Sequence, residues 1–474
     1  MIEIESKKNK FTYNVYHVVK AFFPEEEIVQ KVKEEQEPLV VIRMSGGTCF
    51  SLAREEVKET EEQAEKREVT RRVYSFLAGE TGKKMAWGML TGVRPTKLAM
   101  KKLEEGRDRE EIIRFFEEEY FVTKEKAELA YETACREHNL LSRLDCENGF
   151  SLYVGIPFCP SVCSYCSFSS SPIGEWSHRT EDYLQALIKE IRAIAGMTGD
   201  KKPDTVYIGG GTPTTLEADQ LDRLLAVIGE CFDLEHVLEF TVEAGRPDSI
   251  TEEKLSVIRK YPVTRISVNP QTMQQKTLDL VGRRHTVEDV KRVFKMAREL
   301  GFDNINMDLI AGLPGEDAKD MEDTLEQIER LHPDSLTVHA LAIKRAAKFG
   351  QEGRKMNLNS EITRMVEDAY MCAKRMGLVP YYLYRQKNIA GNFENVGYAE
   401  VDKAGIYNIL IMEEKQTILA AGAGASTKIV LPEKIRMENG KETNLIRIEN
   451  VKNITEYISR IDEMIERKGE WLWR

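Results

Sequence analysis

The chain has 474 residues, 42% of them hydrophobic and 31% charged, ordinary proportions for a globular protein with a large core. At about 150 residues per domain, that length predicts roughly three structural units. A net charge of −11 argues against a general binder of nucleic acid or of an anionic membrane, since such surfaces are usually basic.

The first fourteen residues, MIEIESKKNKFTYN, alternate charge and contain no apolar h-region, so no secretory signal is expected. No stretch approaches the roughly 18 uninterrupted apolar residues of a membrane span. The expected location is the cytosol, where the eight cysteines would stay reduced and free to act as metal ligands or core residues. There is no internal repeat of fixed period and no low-complexity tract.

Residues 1–148 read as an α+β or mostly helical domain. Leu39-Val-Val-Ile-Arg-Met44 has the composition of a strand, and 71–81 and 110–137 carry apolar residues at helical spacing. Asp145-Cys-Glu-Asn-Gly149 reads as a linker. Residues 149–345 change pattern. Strands are expected at 152–156, 205–208, 238–242, 265–268, 305–310 and 335–338. Helical segments between them are expected at 183–194, 221–230 and 287–300, among others. Strand then helix, repeated about six times, predicts an α/β fold with a parallel sheet, a partial (β/α)6 barrel open at one side. In such a fold the site is built from loops at the strand C-termini. Residues 346–474 lose the alternation and read as a mixed helix and hairpin region, with a small-residue run from Ala420 to Ser426.

After the first barrel strand comes Gly155-Ile-Pro-Phe-Cys159-Pro-Ser-Val-Cys163-Ser-Tyr-Cys166. Three cysteines spaced C-x3-C-x2-C on one loop can converge on a single iron–sulfur cluster, each ligating a different iron. A cube of four irons then keeps one iron open to an external molecule, as a catalyst needs and an electron carrier does not. Zinc would want a fourth ligand. Ser164 and Phe168 supply none, and His178 is the only imidazole nearby. Cys49, Cys135, Cys146, Cys231 and Cys372 are scattered singly and read as core or surface thiols.

C-x3-C-x-aromatic-C is the signature of the radical S-adenosylmethionine (SAM) superfamily, which this chain resembles. Tyr153-Val-Gly-Ile-Pro-Phe-Cys159, Gly209-Gly-Gly-Thr-Pro-Thr214 and Asp308-Leu-Ile-Ala-Gly-Leu-Pro314 are similar to the oxygen-independent coproporphyrinogen III oxidase family across the whole barrel. Leu90-Thr-Gly-Val-Arg-Pro-Thr-Lys97 resembles its long N-terminal branch, the coproporphyrinogen dehydrogenase HemZ-like proteins. The resemblance implies a [4Fe–4S] cluster on Cys159, Cys163 and Cys166. It implies a bound S-adenosylmethionine touching Tyr153, Tyr165, Gly210, Gly211, Thr212, Glu243, Gln271, Arg283, Asp308 and Ala342. Glu243 is expected to accept ribose hydroxyls, and Gly209 to Gly211 to let backbone approach the methionyl portion. Singly, Asp308 could brace a barrel layer, Arg283 could be a surface charge, and Tyr153 could be core packing.

The implied reaction abstracts hydrogen from propionate side chains of coproporphyrinogen III, which lose CO2 and an electron to become the vinyl groups of protoporphyrinogen IX. It implies a tetrapyrrole partner and a cytosolic one-electron donor such as flavodoxin or ferredoxin, with no nucleic acid and no membrane span. No catalytic residue is assigned beyond the cofactor contacts. Oxidase members carry a further cysteine two residues after the third ligand, whereas here that position is Phe168. Relatives proposed to act as haem chaperones share the Cys-x-Phe form. A haem-binding chaperone that keeps its cluster, or a radical enzyme acting on haem itself, are the alternatives. A second S-adenosylmethionine site would fall on Gly422-Ala-Gly-Ala-Ser426, which matches the family in composition more than in detail. His339, Lys344 and Arg345 could meet a substrate carboxylate or form a solvated basic turn.

Overall fold

The structure, a computed structural model, describes residues 1–44, 46–92, 94–341, 360–385, 393–437, 440 and 442–472. Met1–Cys135 and Leu383–Glu394 belong to one compact unit. Four of its strands are β1 (Ile2–Ser6), β2 (Ile28–Val32), β3 (Val40–Arg43) and β4 (Cys49–Leu52). They form a sheet in the order β2-β1-β3-β4, with β1 and β2 parallel and the other pairs antiparallel. This unit is therefore α+β rather than mostly helical. Ile2, Ile4, Val40 and Ile42 bury one face of the sheet together with Phe11, Val15, Val19, Val69, Val73 and Leu77 of helices Asn9–Phe22 and Glu62–Thr81. The helical stretch expected over 110–137 is two helices, Arg109–Tyr120 and Lys124–Leu141. Phe121 takes a left-handed φ of 57° and its N–H closes on Glu117, which ends the first helix.

The second unit comprises Arg136–Met356, Ser360–Tyr382 and Asn395–Arg474. It opens where the Asp145 side chain accepts the N–H groups of Glu147 and Asn148, a turn that delivers Gly149 into the first long strand. The strands are β5 (Gly149–Ile156), the short pair β6 (Phe158–Cys159) and β7 (Ser171–Pro172), then β8 (Lys202–Gly210), β9 (Glu239–Gly245), β10 (Arg265–Val268), β11 (Ile305–Ala311) and β12 (Ser335–Ala340). β5, β8, β9, β10, β11 and β12 lie side by side, all parallel, as six consecutive strands of one sheet. Helices Thr180–Met197, Ala218–Cys231, Glu252–Arg259, Val287–Glu299 and Ala318–Leu331 make the connections. This is the expected open α/β barrel. The C-terminal region continues the same sheet: β13 (Val379–Tyr384) and β14 (Asn395–Ala399) extend it beyond β12, and β15 (Ile418–Ala421), β16 (Ser426–Arg436) and β17 (Glu442–Glu449) extend it beyond β5.

Side chains alternate across each parallel strand. Leu152, Val154, Val206, Ile208, Phe240, Val242, Ile266, Met307, Leu309 and Leu336 are fully buried on one face, with helix residues such as Leu187, Ile191, Leu224 and Ile228. The opposite face is polar and knits the strands together. Thr205 donates to Ser151 at 2.8 Å, and Ser151 to Gln416 at 3.0 Å. Arg265 donates to Ser335 at 3.3 Å, while Ser335 and Thr337 both donate to Asn306, at 3.1 and 3.2 Å.

Candidate active site at the strand ends

The cysteines occupy the loop leaving β5. Thr212 donates its hydroxyl toward Cys159 Sγ at 3.6 Å. Cys163 is buried, with Arg246 Nη1 at 3.9 Å and Arg283 Nη1 at 3.7 Å from its sulfur. The Cys166 N–H closes a turn on the Cys163 carbonyl at 3.0 Å. Burial raises the thiols of Cys159 and Cys166, and the neighbouring cysteines raise them further, so the three sulfurs share one electrostatic environment. Among the described residues no group of three or more His, Cys, Asp or Glu is tight enough to hold a single metal ion. A four-iron cube sets its sulfurs wider apart than one ion does, and three thiols with hydrogen-bond donors aimed at two of them fit such a cube. Cys231 and Cys372 lie on helices away from this loop, as expected of lone thiols.

The glycine run after β8 packs against the cysteine loop. Gly210 has φ 105°, and a Cβ there would sit 3.1 Å from the Ile156 carbonyl oxygen. At Gly211 a Cβ would overlap the Phe158 carbonyl, because the Gly211 and Thr212 N–H groups donate to Ile156 and Phe158, each at 2.7 Å. The space a side chain would need is thus taken by the protein's own backbone, a packing reason for glycine that stands beside the expected close approach to the methionyl portion. Thr214 completes the tie by donating to the Ala244 carbonyl at 2.6 Å.

Glu243 lies near the end of β9, partly buried, and accepts the Tyr207 hydroxyl. Burial pushes its carboxyl up to about 7, with nearby Asp308 adding to the rise and Tyr207 opposing it. Tyr153, Tyr207 and Tyr407 stack at centroid distances of 4.5 to 6.3 Å. Tyr153 therefore joins a wall of three tyrosines rather than packing alone. Gln271, just beyond β10, holds a left-handed φ of 69°. Its N–H donates to the Asp308 carbonyl and its own carbonyl accepts from Ile310, both at 2.9 Å. Gln271 Oε1, Asn269 Oδ1 and Arg283 Nε are buried without a hydrogen-bond partner. A strained backbone beside orphaned polar atoms is what a polar ligand would satisfy. Arg283 is buried, 4% exposed, and contacts Tyr165 at 3.4 Å, so the surface-charge reading of it does not stand. Asn306 holds Asp308 at 2.8 Å.

Each expected residue except Ala342 therefore stands at this end of the barrel. Ala342, Lys344 and Arg345 lie outside the described residues. Tyr207, Arg246, Asn269 and Tyr407 were not anticipated. Period-two alternation back from Gly209 places Tyr207 inward, but no sequence signal marks Tyr407. The turn at Gly422–Ala425 engages its N–H groups within the chain: Gly422 with Glu190, Ala423 with Tyr183, Gly424 with Val451 and Ala425 with Gly422. No helix among the described residues is long and apolar enough to cross a membrane.

The radical SAM superfamily profile matches residues 153–328, which run from the tyrosine before the cysteine loop through the parallel strands β8, β9, β10 and β11. The oxygen-independent coproporphyrinogen-III oxidase-like protein HemZ of Bacillus subtilis is 42% identical over 404 residues, covering 84% of this chain and 79% of the relative. The chain belongs to this radical SAM family. Its cofactors are those of the superfamily, a [4Fe–4S] cluster and S-adenosylmethionine. The haem chaperone HemW of Bacillus subtilis is 37% identical over 200 residues, 42% of this chain and 52% of that protein. Among solved structures, coproporphyrinogen III oxidase (HemN) from Escherichia coli superposes with a TM-score of 0.54 at 23% identity, covering 70% of this chain and 73% of that one. That likeness establishes the shared fold.

Proposed function

We propose that this protein carries out the oxygen-independent oxidative decarboxylation of two propionate groups of coproporphyrinogen III, giving protoporphyrinogen IX. The observation that carries this reading is the 42% identity to an oxidase-like relative over 84% of the chain. That similarity extends well past the 153–328 segment common to the superfamily. When bound, the cluster and S-adenosylmethionine supply a carbon-centred radical able to take a hydrogen atom from an unactivated side chain.

The chain's own contribution is to hold and shield. Cys159, Cys163 and Cys166 hold the cluster, with Thr212, Arg246 and Arg283 donating toward two of their sulfurs. Glu243 and the unpartnered Oε1 of Gln271 would accept hydrogen bonds from S-adenosylmethionine, and Arg283 and Asp308 would supply opposite charges for its polar ends. Gly210 and Gly211 would let the loop after β8 close on the cysteine loop, and Tyr165 and Thr212 would stand beside the cluster sulfurs and the bound S-adenosylmethionine. The tyrosine wall of Tyr153, Tyr207 and Tyr407 excludes water from the site. At each propionate the substrate gives up a hydrogen atom, then CO2 and one electron, which passes to an external acceptor. The reductant is a one-electron donor such as flavodoxin or ferredoxin, and the setting is the cytosol.

A second reading, haem binding without turnover, is favoured by Phe168. It stands where oxidase members carry a cysteine, and its side chain is 73% exposed. Parallel anaerobic incubations of reconstituted protein with coproporphyrinogen III and with haem, each with S-adenosylmethionine and reductant, separate the two. The oxidase reading requires 5′-deoxyadenosine together with a tetrapyrrole lighter by two CO2. Unchanged tetrapyrrole with stoichiometric haem binding supports the chaperone reading. A methylated or ring-opened haem would replace both.

A further inference from the structure

Cys163 lies between two guanidinium groups, of which only Arg283 belongs to the expected set. Arg246, the residue after β9, is 4% exposed. Its Nη1 stands 3.9 Å from Cys163 Sγ and donates to the Ser161 carbonyl at 2.7 Å and the Ser161 hydroxyl at 2.8 Å. On its other edge, Nε and Nη2 grip Asp248 bidentately at 3.0 and 2.7 Å. The guanidinium thus presents positive charge to the cysteine loop, with its counter-charge on the far side. The remaining titratable neighbour of Asp248 is His285, 3.7 Å from it, fully buried and with its pKa lowered by that burial.

We propose that the Arg246–Asp248 pair sets the reduction potential of the cluster at Cys163, Arg246 raising it and Asp248 moderating the rise. Reduction adds one negative charge to the cluster. A buried cation donating to a ligand sulfur stabilises that charge, and an anion behind it partly cancels the effect. The two members of one ion pair therefore act with opposite sign, whereas a pair that merely braced the loop would act with the same sign. This inference rests on Cys163 being a cluster ligand, a point read separately from the iron content of Cys163→Ala.

The test is an electron-paramagnetic-resonance redox titration of the reconstituted full chain, with iron counted in each variant. Arg246→Met should lower the ratio of reduced to oxidised cluster about tenfold or more at a fixed potential, equivalent to a fall of about 59 mV for one electron. Asp248→Asn should shift the potential upward. Arg246→Lys, which keeps the charge but loses the planar fork, should fall nearer the natural protein than Arg246→Met does. If Arg246→Met alone loses its cluster, the signs of the other two decide. Shifts of the same sign in Arg246→Met and Asp248→Asn overturn the proposal. So do full iron with an unmoved potential, or loss of the cluster from all three variants.

Discussion

Replacing Glu243 by Gln is expected to make the cofactor-free protein more stable and its S-adenosylmethionine binding weaker. The carboxyl titrates at about 7 against an ordinary 4.5, chiefly because it is buried. At about 1.4 kcal/mol per pKa unit, holding it ionised costs the empty fold about 3 kcal/mol. Between roughly pH 4.5 and 7 the folded state binds more protons at this group than the unfolded state does. Its contribution to stability therefore falls as pH rises through that window, and the full cost applies above about pH 7. Glutamine keeps an oxygen able to accept from Tyr207 and carries no charge. Denaturant titrations of the cofactor-free protein should thus show Glu243→Gln more stable by about 3 kcal/mol near pH 8, with the gap closing toward pH 4.5. Binding should move the other way, because the ionised oxygens are the better acceptors for ribose hydroxyls. The natural protein should gain S-adenosylmethionine affinity as pH rises through about 7, while the variant should stay flat and bind more weakly by on the order of 1–3 kcal/mol. Equal stability at both pH values, or matching pH profiles for binding, would refute the reasoning.

Other outcomes follow from neighbouring features. Alanine at Cys159, Cys163 or Cys166 should abolish the brown, air-sensitive chromophore and its four irons, whereas Cys231→Ala or Cys372→Ala should keep both; iron and sulfide analysis after anaerobic reconstitution decides. Asp308→Ala should retain the cluster and lose about 1–3 kcal/mol of S-adenosylmethionine affinity, read by calorimetry. Burial raises the thiols of Cys159 and Cys166, and assembly consumes thiolates, so the rate of cluster formation should keep climbing with pH beyond the range in which ordinary thiols ionise, as read by stopped assembly reactions at a series of pH values. Lys468 and Glu190, 1% and 0% exposed, form an ion pair that also receives Asn450 and Tyr457. Lys468→Met should cost about 3–5 kcal/mol in unfolding titrations by leaving a buried carboxylate unpaired.

The parallel strands were legible because a strand covered by helices on one face must carry apolar residues at every second position, and Leu152-x-Val154 and Val206-x-Ile208 do so. The strands β1 and β2 were not, since β1 alternates Ile with Glu over only five residues and β2 shows no buried residue at all. The break at Phe121 was hidden for a related reason. A left-handed residue that is not glycine leaves no compositional trace, and the helices on both sides keep the same apolar spacing.

At the site, ligand-type residues announce themselves through spacing, so the three cysteines could be read from one short segment. Residues that act on those ligands cannot be read in that way. Arg246 stands 83 positions from Cys163 and Arg283 stands 120 positions away, and each meets the sulfur only because adjacent parallel strands bring their ends into one plane. The two were unequal in sequence: the resemblance singles out Arg283 as an expected contact, whereas Arg246 becomes visible only through its approach to Cys163 and its fork on Asp248. The glycine run shows the converse. Its composition is conspicuous, yet the structure gives Gly211 a packing reason, closure on the Phe158 carbonyl. That closure lets Thr212 reach Cys159. The close approach of two strand ends that Gly211 permits is what gathers side chains from separate strands around one sulfur.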